Sequence, residues 1–79
     1  MNDALAKPRL RRKEVPAYLL EKYGVQVSAS TLAKKATLGG GPAIEYFGRI
    51  PLYSTDALDQ WVAENLGGRV HSTAERKHA

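Results

Sequence analysis

The first clear pattern of hydrophobic and polar positions in the chain is helical. Val15, Tyr18 and Leu19 recur at the spacing of one helix face, so the sequence predicts a helix that starts near residue 13 or 14. Pro16 is accepted in its first turn, where no intrahelical hydrogen bond is lost, and Gly24 is placed to end it.

A second, shorter helical pattern follows after a tight connection. Its apolar positions lie at i, i+3, i+4 and i+7 and are Ala29, Leu32, Ala33 and Ala36. Ser28 precedes them and is a favourable N-cap, so the sequence predicts a helix over residues 29–36 that the glycines at 39–41 end. Two helices joined in this way match a helix-turn-helix unit.

The pattern then changes to β-forming residues on both sides of Gly48 and Arg49. Residues 44–47 and 50–53 predict a hairpin with a type II′ turn and Arg49 at its tip. In that register Tyr46 faces Pro51, and a proline is accepted there only if its strand lies at a sheet edge. We therefore expect a hairpin of two strands only.

A third helical pattern completes the predicted domain. Leu58, Trp61 and Val62 form its inner stripe, Ser54 or Thr55 caps it, and we expect Trp61 in the core against the first helix and the hairpin. The predicted fold class is α+β, mostly α, with three helices and a two-stranded hairpin over residues 9–68. Residues 1–8 are predicted to be a flexible lead-in and residues 69–79 a disordered basic tail.

Composition excludes several classes of protein. The 79 residues suffice for one small domain, and the absence of cysteine removes disulfides, zinc–thiolate sites and thiol nucleophiles. No apolar run approaches the length of a membrane span, and no signal peptide is recognisable, so we expect a cytoplasmic protein. His71 and His78 lie in the predicted tail, and Asp56 and Asp59 look like solvated charges, so we expect no metal, no cofactor and no enzymatic activity.

Charge is unevenly distributed along the chain. Residues 1–40 hold eight basic and three acidic side chains, whereas residues 41–66 hold one basic and four acidic. The basic part contains the second helix, whose polar side carries only small hydroxyl groups and two lysines. An uneven positive charge of this kind favours a polyanionic partner.

The order and spacing of these pieces resemble a known family. SASTLAKKA, followed by GGGPAIEYFGRIPLYSTDALDQWV, is similar to the excisionase and AlpA-like group of small phage and mobile-element DNA-binding proteins, which are related to the MerR-type domain. The resemblance covers roughly residues 10–66 and implies a winged helix-turn-helix fold. It also implies a role in transcription regulation or DNA recombination, with an integrase or other recombinase as a candidate partner. The family pattern has a shorter connection before the second helix and a polar or basic residue at Pro51.

These patterns define a set of candidate DNA-contacting residues. The second helix is expected in the major groove, the hairpin wing on the adjacent minor groove or backbone, and the basic start of the first helix on phosphates. The residues are Ser28, Ser30, Thr31, Lys34 and Lys35 in the second helix, Arg49 and Tyr46 in the wing, and Arg11, Arg12 and Lys13 for the backbone. Cooperative or tandem binding to double-stranded DNA would compensate for the small size of the module.

Other interpretations stay open at this stage. The lysine-bearing face is also typical of an ordinary solvated helix, Arg49 of a turn chosen for solubility, and Tyr46 of cross-strand packing. The same domain is also compatible with a protein-interaction adapter, or with a phage packaging or replication factor that recognises DNA.

Overall fold

The structure, a computed structural model, describes residues 7–67. They form a small α+β domain with a three-stranded antiparallel sheet, and the predicted hairpin of two strands only is wrong in this respect. The elements, in chain order, are β1 (Arg9–Arg11), a 3₁₀ turn (Arg12–Glu14), α1 (Val15–Tyr23), α2 (Ala29–Leu38), β2 (Glu45–Phe47), β3 (Ile50–Ser54) and α3 (Thr55–Asn65). The predictions for residues 1–6 and 68–79 lie outside the described residues.

The additional strand is β1, which pairs with β3 on the side opposite β2. Leu10 faces Tyr53 across this pair and both side chains are completely buried, whereas Arg9 and Arg11 are exposed. The alternation of charged and apolar residues is the period of a strand with one buried face. The four cations of residues 9–13 obscure that short pattern in the sequence.

Pro51 therefore lies in the central strand, not in an edge strand. It faces Tyr46 of β2, and the predicted hairpin register, Phe47 with Ile50 and Tyr46 with Pro51, is confirmed. At this pair the missing proline N–H points away from β2 and toward β1. The pairing of β1 with β3 ends at Arg11 and Leu52 and does not include Pro51, so the missing N–H removes no hydrogen bond between these strands.

Helix boundaries follow the predicted caps. The Ser28 Oγ accepts a hydrogen bond from the Thr31 backbone N–H at 3.1 Å, and the Ser54 Oγ accepts one from the Ala57 N–H at 3.1 Å. Gly24 ends α1 in the left-handed conformation, with φ of 69°. α2 continues two residues beyond its predicted end, to Leu38.

One hydrophobic core joins the three helices to the sheet. Its fully or nearly fully buried members are Leu10, Val15, Tyr18, Leu19, Leu32, Tyr53, Leu58 and Val62. The prediction that Trp61 lies in the core is wrong in part. Trp61 is half-buried against the edge of the core, where its indole N–H donates to the Gly40 carbonyl at 2.9 Å, so its polar edge determines where it lies.

Candidate nucleic-acid interface

The outward face of α2 is built from small polar side chains around Lys34. Ser30, Lys34 and Thr37 lie at i, i+4 and i+7, and all three are exposed. Thr31 and the 77% exposed Leu38 flank them on the same side. Thr37 and Leu38 were missing from the predicted site because the three consecutive glycines suggested an earlier end of the helix.

The inward face of α2 is narrower than its sequence pattern predicts. Leu32 is the only side chain of the helix that is fully buried, while Ala29 and Ala33 are half-buried and Ala36 is exposed. The expectation that Ala36 belongs to the inner stripe is therefore wrong. Because alanine extends only one carbon from the backbone, three alanines cannot bring a whole helix face into the core, and Leu32 anchors α2.

Lys35 differs from Lys34 in its surroundings. Lys34 is exposed, whereas Lys35 is half-buried because the chain turns back past its stem at Gly41. A Cβ added at Gly41 would lie 3.1 Å from the Lys35 Cβ, which shows how closely the loop after α2 passes. Lys34 thus lies at the centre of the outward face and Lys35 at its border.

Three hydroxyl groups meet at the start of α2. The Ser28 Oγ donates to the Thr31 Oγ1 at 2.9 Å and lies 3.1 Å from the Ser30 Oγ. Ser28 is thereby occupied as the helix cap. The Thr31 hydroxyl accepts from Ser28, so its own hydrogen remains free to donate outward.

The tip of the hairpin extends beyond the third strand. Because β1 ends opposite Leu52, the segment around Gly48 and Arg49 is a two-stranded ribbon. Gly48 has a φ of 65° while Arg49 does not have a positive φ, which agrees with the type II′ turn. Arg49 is exposed at the tip, and Tyr46 and Phe47 beside it are 65% and 76% exposed.

The 3₁₀ turn connects the two parts of this surface. It lies against both α2 and β3, so it occupies the position between the helix and the hairpin. Arg11 and Lys13 are exposed, and Arg12 is half-buried. The Arg12 Nε donates to the hydroxyl of the buried Tyr53 at 3.0 Å.

The cations of the domain fall into two groups. Within residues 7–67, three of them form salt bridges: Lys7 with Glu14, Arg9 with Glu45, and Lys22 with Asp59. The hydrogen bond from Arg9 holds the pKa of Glu45 below its usual value. The cations without a salt bridge in the described part of the chain are Arg11, Arg12, Lys13, Lys34, Lys35 and Arg49. These are the same six cations that the sequence predicts as DNA contacts.

Asp59 joins α3 to α1. Its Oδ1 accepts hydrogen bonds from the Tyr18 and Tyr23 hydroxyls at 2.6 Å each, and Lys22 Nζ lies 2.9 Å from its Oδ2. Burial alone would raise the pKa of Asp59, but these three donors outweigh it and hold the pKa below its usual value. Asp59, predicted to be a solvated charge, is therefore a structural acceptor.

Neither a metal centre nor a membrane span is found among residues 7–67. No group of three potential ligands from His, Cys, Asp and Glu lies close enough to hold a metal ion there. No helix in this range is long and apolar enough to cross a bilayer. His71 and His78 lie outside the described residues.

Comparison with known proteins adds no assignment. No protein-family model matches the chain, and no curated protein or solved structure matches it significantly.

Proposed function

We propose that this protein is a sequence-specific DNA-binding protein of the winged helix-turn-helix type, acting as a small regulator or excisionase. The observation that carries the proposal is the division of the cations. Three of them are paired with carboxylates of the domain, and the six others lie on α2, at the end of β1, on the 3₁₀ turn and at the hairpin tip. A protein that neutralises DNA phosphates needs cations that its own carboxylates do not neutralise.

The outward face of α2 has properties suited to the major groove. Its side chains are short apart from Lys34 and Leu38, so the helix backbone can approach the base edges closely. The Thr31 hydroxyl retains a free donor, and Lys34 offers three N–H donors to guanine or phosphate oxygens. In this arrangement Ser30 and Thr31 read sequence, and Ser28 fixes the start of the helix.

The hairpin tip and the 3₁₀ turn then serve different purposes. Arg49 extends from a thin two-stranded ribbon, a shape that fits the adjacent minor groove or its phosphates. Arg11, at the end of β1, and Lys13, in the 3₁₀ turn, contribute charge and supply affinity without reading bases. Tyr46 is exposed next to the tip, where it can contact sugar and phosphate.

Binding to mixed-sequence duplex DNA at two salt concentrations tests the proposal. A plot of log affinity against log salt has a negative slope, and each lost phosphate contact makes that slope shallower by about 0.9. Lys34→Ala with Lys35→Ala should therefore make it shallower by up to about 1.8. Lys22→Ala is the matched control, because Lys22 is paired with Asp59 and is not one of the candidate contact residues. It should leave the slope unchanged.

Sequence preference tests the division of labour within the site. Selection of bound fragments from a random duplex pool should give a different preferred sequence for Ser30→Ala or Thr31→Val than for the natural protein. Arg49→Ala should weaken binding to all sequences alike. A protein-interaction adapter would instead bind DNA weakly, with no response to the lysine substitutions, and that result would refute the proposal.

A further inference from the structure

We infer that Tyr53 positions Arg12 to bind one phosphodiester of the DNA strand that separates the two occupied grooves. This inference rests on the proposed function and assigns a role to Tyr53, a side chain of the hydrophobic core. The Arg12–Tyr53 pair is the hydrogen bond of 3.0 Å between the arginine Nε and the tyrosine hydroxyl.

The chemistry of the Arg12–Tyr53 pair suits a phosphate contact. Tyr53 is completely buried, and its hydroxyl is reached by Arg12 at the surface of the core. A guanidinium carries five N–H donors in one plane, and this bond uses the single donor on Nε. The four donors on the two terminal nitrogens form no hydrogen bond with residues 7–67, and their fork matches two oxygens of a phosphate.

The pair also lies next to two of the elements proposed to contact DNA. The 3₁₀ turn that carries Arg12 lies against α2 and also against β3. If α2 occupies the major groove and the hairpin tip the next minor groove, the strand between these grooves crosses the domain between them. Arg12 belongs to the turn that contacts both α2 and β3, so a fixed contact between Arg12 and that strand would set the register of both the helix and the wing.

Arg12 differs from the exposed cations of the candidate site in how firmly it is held. Arg11, Lys13 and Lys34 are exposed and must lose side-chain freedom when they bind a phosphate. Arg12 is half-buried and already held at Nε, so less freedom remains to be lost. A preorganised contact of this kind contributes more affinity than its charge alone provides.

Substitutions at both partners separate positioning from charge. The probe is a duplex selected from a random pool by the natural protein, with affinity measured by fluorescence anisotropy at several salt concentrations. Arg12→Ala should weaken binding about 10- to 100-fold and lower the salt slope by about 0.9. Tyr53→Phe removes only the hydroxyl and should weaken binding about 2- to 10-fold with the slope preserved.

The double variant and two single ones complete the test. Tyr53→Phe should have no further effect in the Arg12→Ala background, and Arg12→Lys should resemble Tyr53→Phe because it keeps the charge and loses the held fork. Arg12→Lys also serves if Tyr53→Phe fails to fold. Tyr23→Phe is the matched control, because it removes a hydroxyl that bonds Asp59 and not Arg12.

Two results would overturn the inference while leaving the proposed function intact. In the first, Tyr53→Phe binds DNA as tightly as the natural protein; in the second, Arg12→Lys does so. In both cases Lys34 and Arg49 are still required for binding. Binding that ignores Lys34, Arg49 and Arg12 together would refute the proposed function and the inference with it. Single phosphates of the duplex can also be replaced by a neutral methylphosphonate. At one position this replacement should weaken binding by the natural protein and leave binding by Arg12→Ala unchanged.

Discussion

Two regions of this domain, the contact of α1 with α3 and the surface of α2, use charged side chains in opposite ways. Where α1 meets α3, Lys22, Tyr18 and Tyr23 all bind one carboxylate, Asp59. Around α2, the lysines have no acidic partner within residues 7–67. Lysine is therefore paired with a carboxylate in one region and has no acidic partner within the described part of the chain in the other.

α1 and α2 also differ in how many of their side chains are buried in the core. α1 buries Val15, Tyr18 and Leu19 completely or nearly so, whereas α2 buries Leu32 alone. The surface that we propose for DNA thus belongs to the least anchored helix of the domain. A helix held by one large side chain has few residues committed to packing, and most of its surface is free for contact.

The largest expected effect comes from removing that single anchor. Leu32→Ala should lower the free energy of unfolding by about 2–5 kcal/mol, because Leu32 is 1% exposed and its loss leaves a cavity under α2. Thermal unfolding followed by circular dichroism measures the change. Leu38→Ala, on the same helix but 77% exposed, should change stability by less than about 0.5 kcal/mol. Equal effects of the two substitutions would contradict the observed packing.

A smaller effect is expected on the side where α1 meets α3. Asp59→Ala removes the carboxylate that accepts a hydrogen bond from the Tyr18 hydroxyl, and Tyr18 is only 2% exposed. The substitution should therefore lower the free energy of unfolding by about 1–3 kcal/mol. Glu21→Ala, at an exposed position of α1, should cost less than about 0.5 kcal/mol. Chemical denaturation at neutral pH gives both values.

The same Asp59 substitution predicts a dependence on pH. The pKa of Asp59 is lowered in the folded protein, so the unfolded chain takes up this proton more readily. The contribution of ionised Asp59 to the free energy of unfolding is complete above the pKa of the unfolded chain, about 3.9. It is lost as the pH falls through the lower pKa of the folded protein. The stability difference between the natural protein and Asp59→Ala should therefore shrink below about pH 4. A difference that stays constant through this range would contradict the assignment.

The smallest of these effects concerns the two serine caps. Ser28→Ala and Ser54→Ala remove equivalent bonds of 3.1 Å and should each cost about 1 kcal/mol. Ser28→Gly should cost only a few tenths of that value, since glycine is also accepted at an N-cap. If Ser28→Ala left stability unchanged while it weakened DNA binding, Ser28 would be a contact residue and not a cap.

The elements with long apolar side chains could be predicted from the sequence. Val15, Tyr18 and Leu19 in α1, and Leu58 and Val62 in α3, mark their helices, and Gly48 fixes the hairpin register. Strand β1 was missed because its one apolar residue lies among four cations. Ala36 was misplaced because a periodic alanine does not reveal whether it is covered.

Most residues of the candidate site could be predicted from the sequence, except Thr37 and Leu38, but the long-range partners of its side chains could not. The exposed positions of Lys34 and Arg49 follow from local periodicity and turn geometry. The bonds from Arg12 to Tyr53 and from Tyr18 to Asp59 each join residues 41 positions apart, and no local pattern indicates such pairs. For the same reason the sequence alone could not distinguish Lys22, which is held by Asp59, from Lys34, which has no acidic partner among residues 7–67.

The most direct test of the central claim is a map of the surface that DNA contacts. In a titration of ¹⁵N-labelled protein with a short duplex, the backbone amide signals that shift report which residues lie at the interface. We expect the largest shifts at residues 30–38 of α2, at the 3₁₀ turn of Arg12–Glu14 and at Gly48 and Arg49. Largest shifts at residues 18–23 of α1 and along α3, or no shifts at all, would contradict the account.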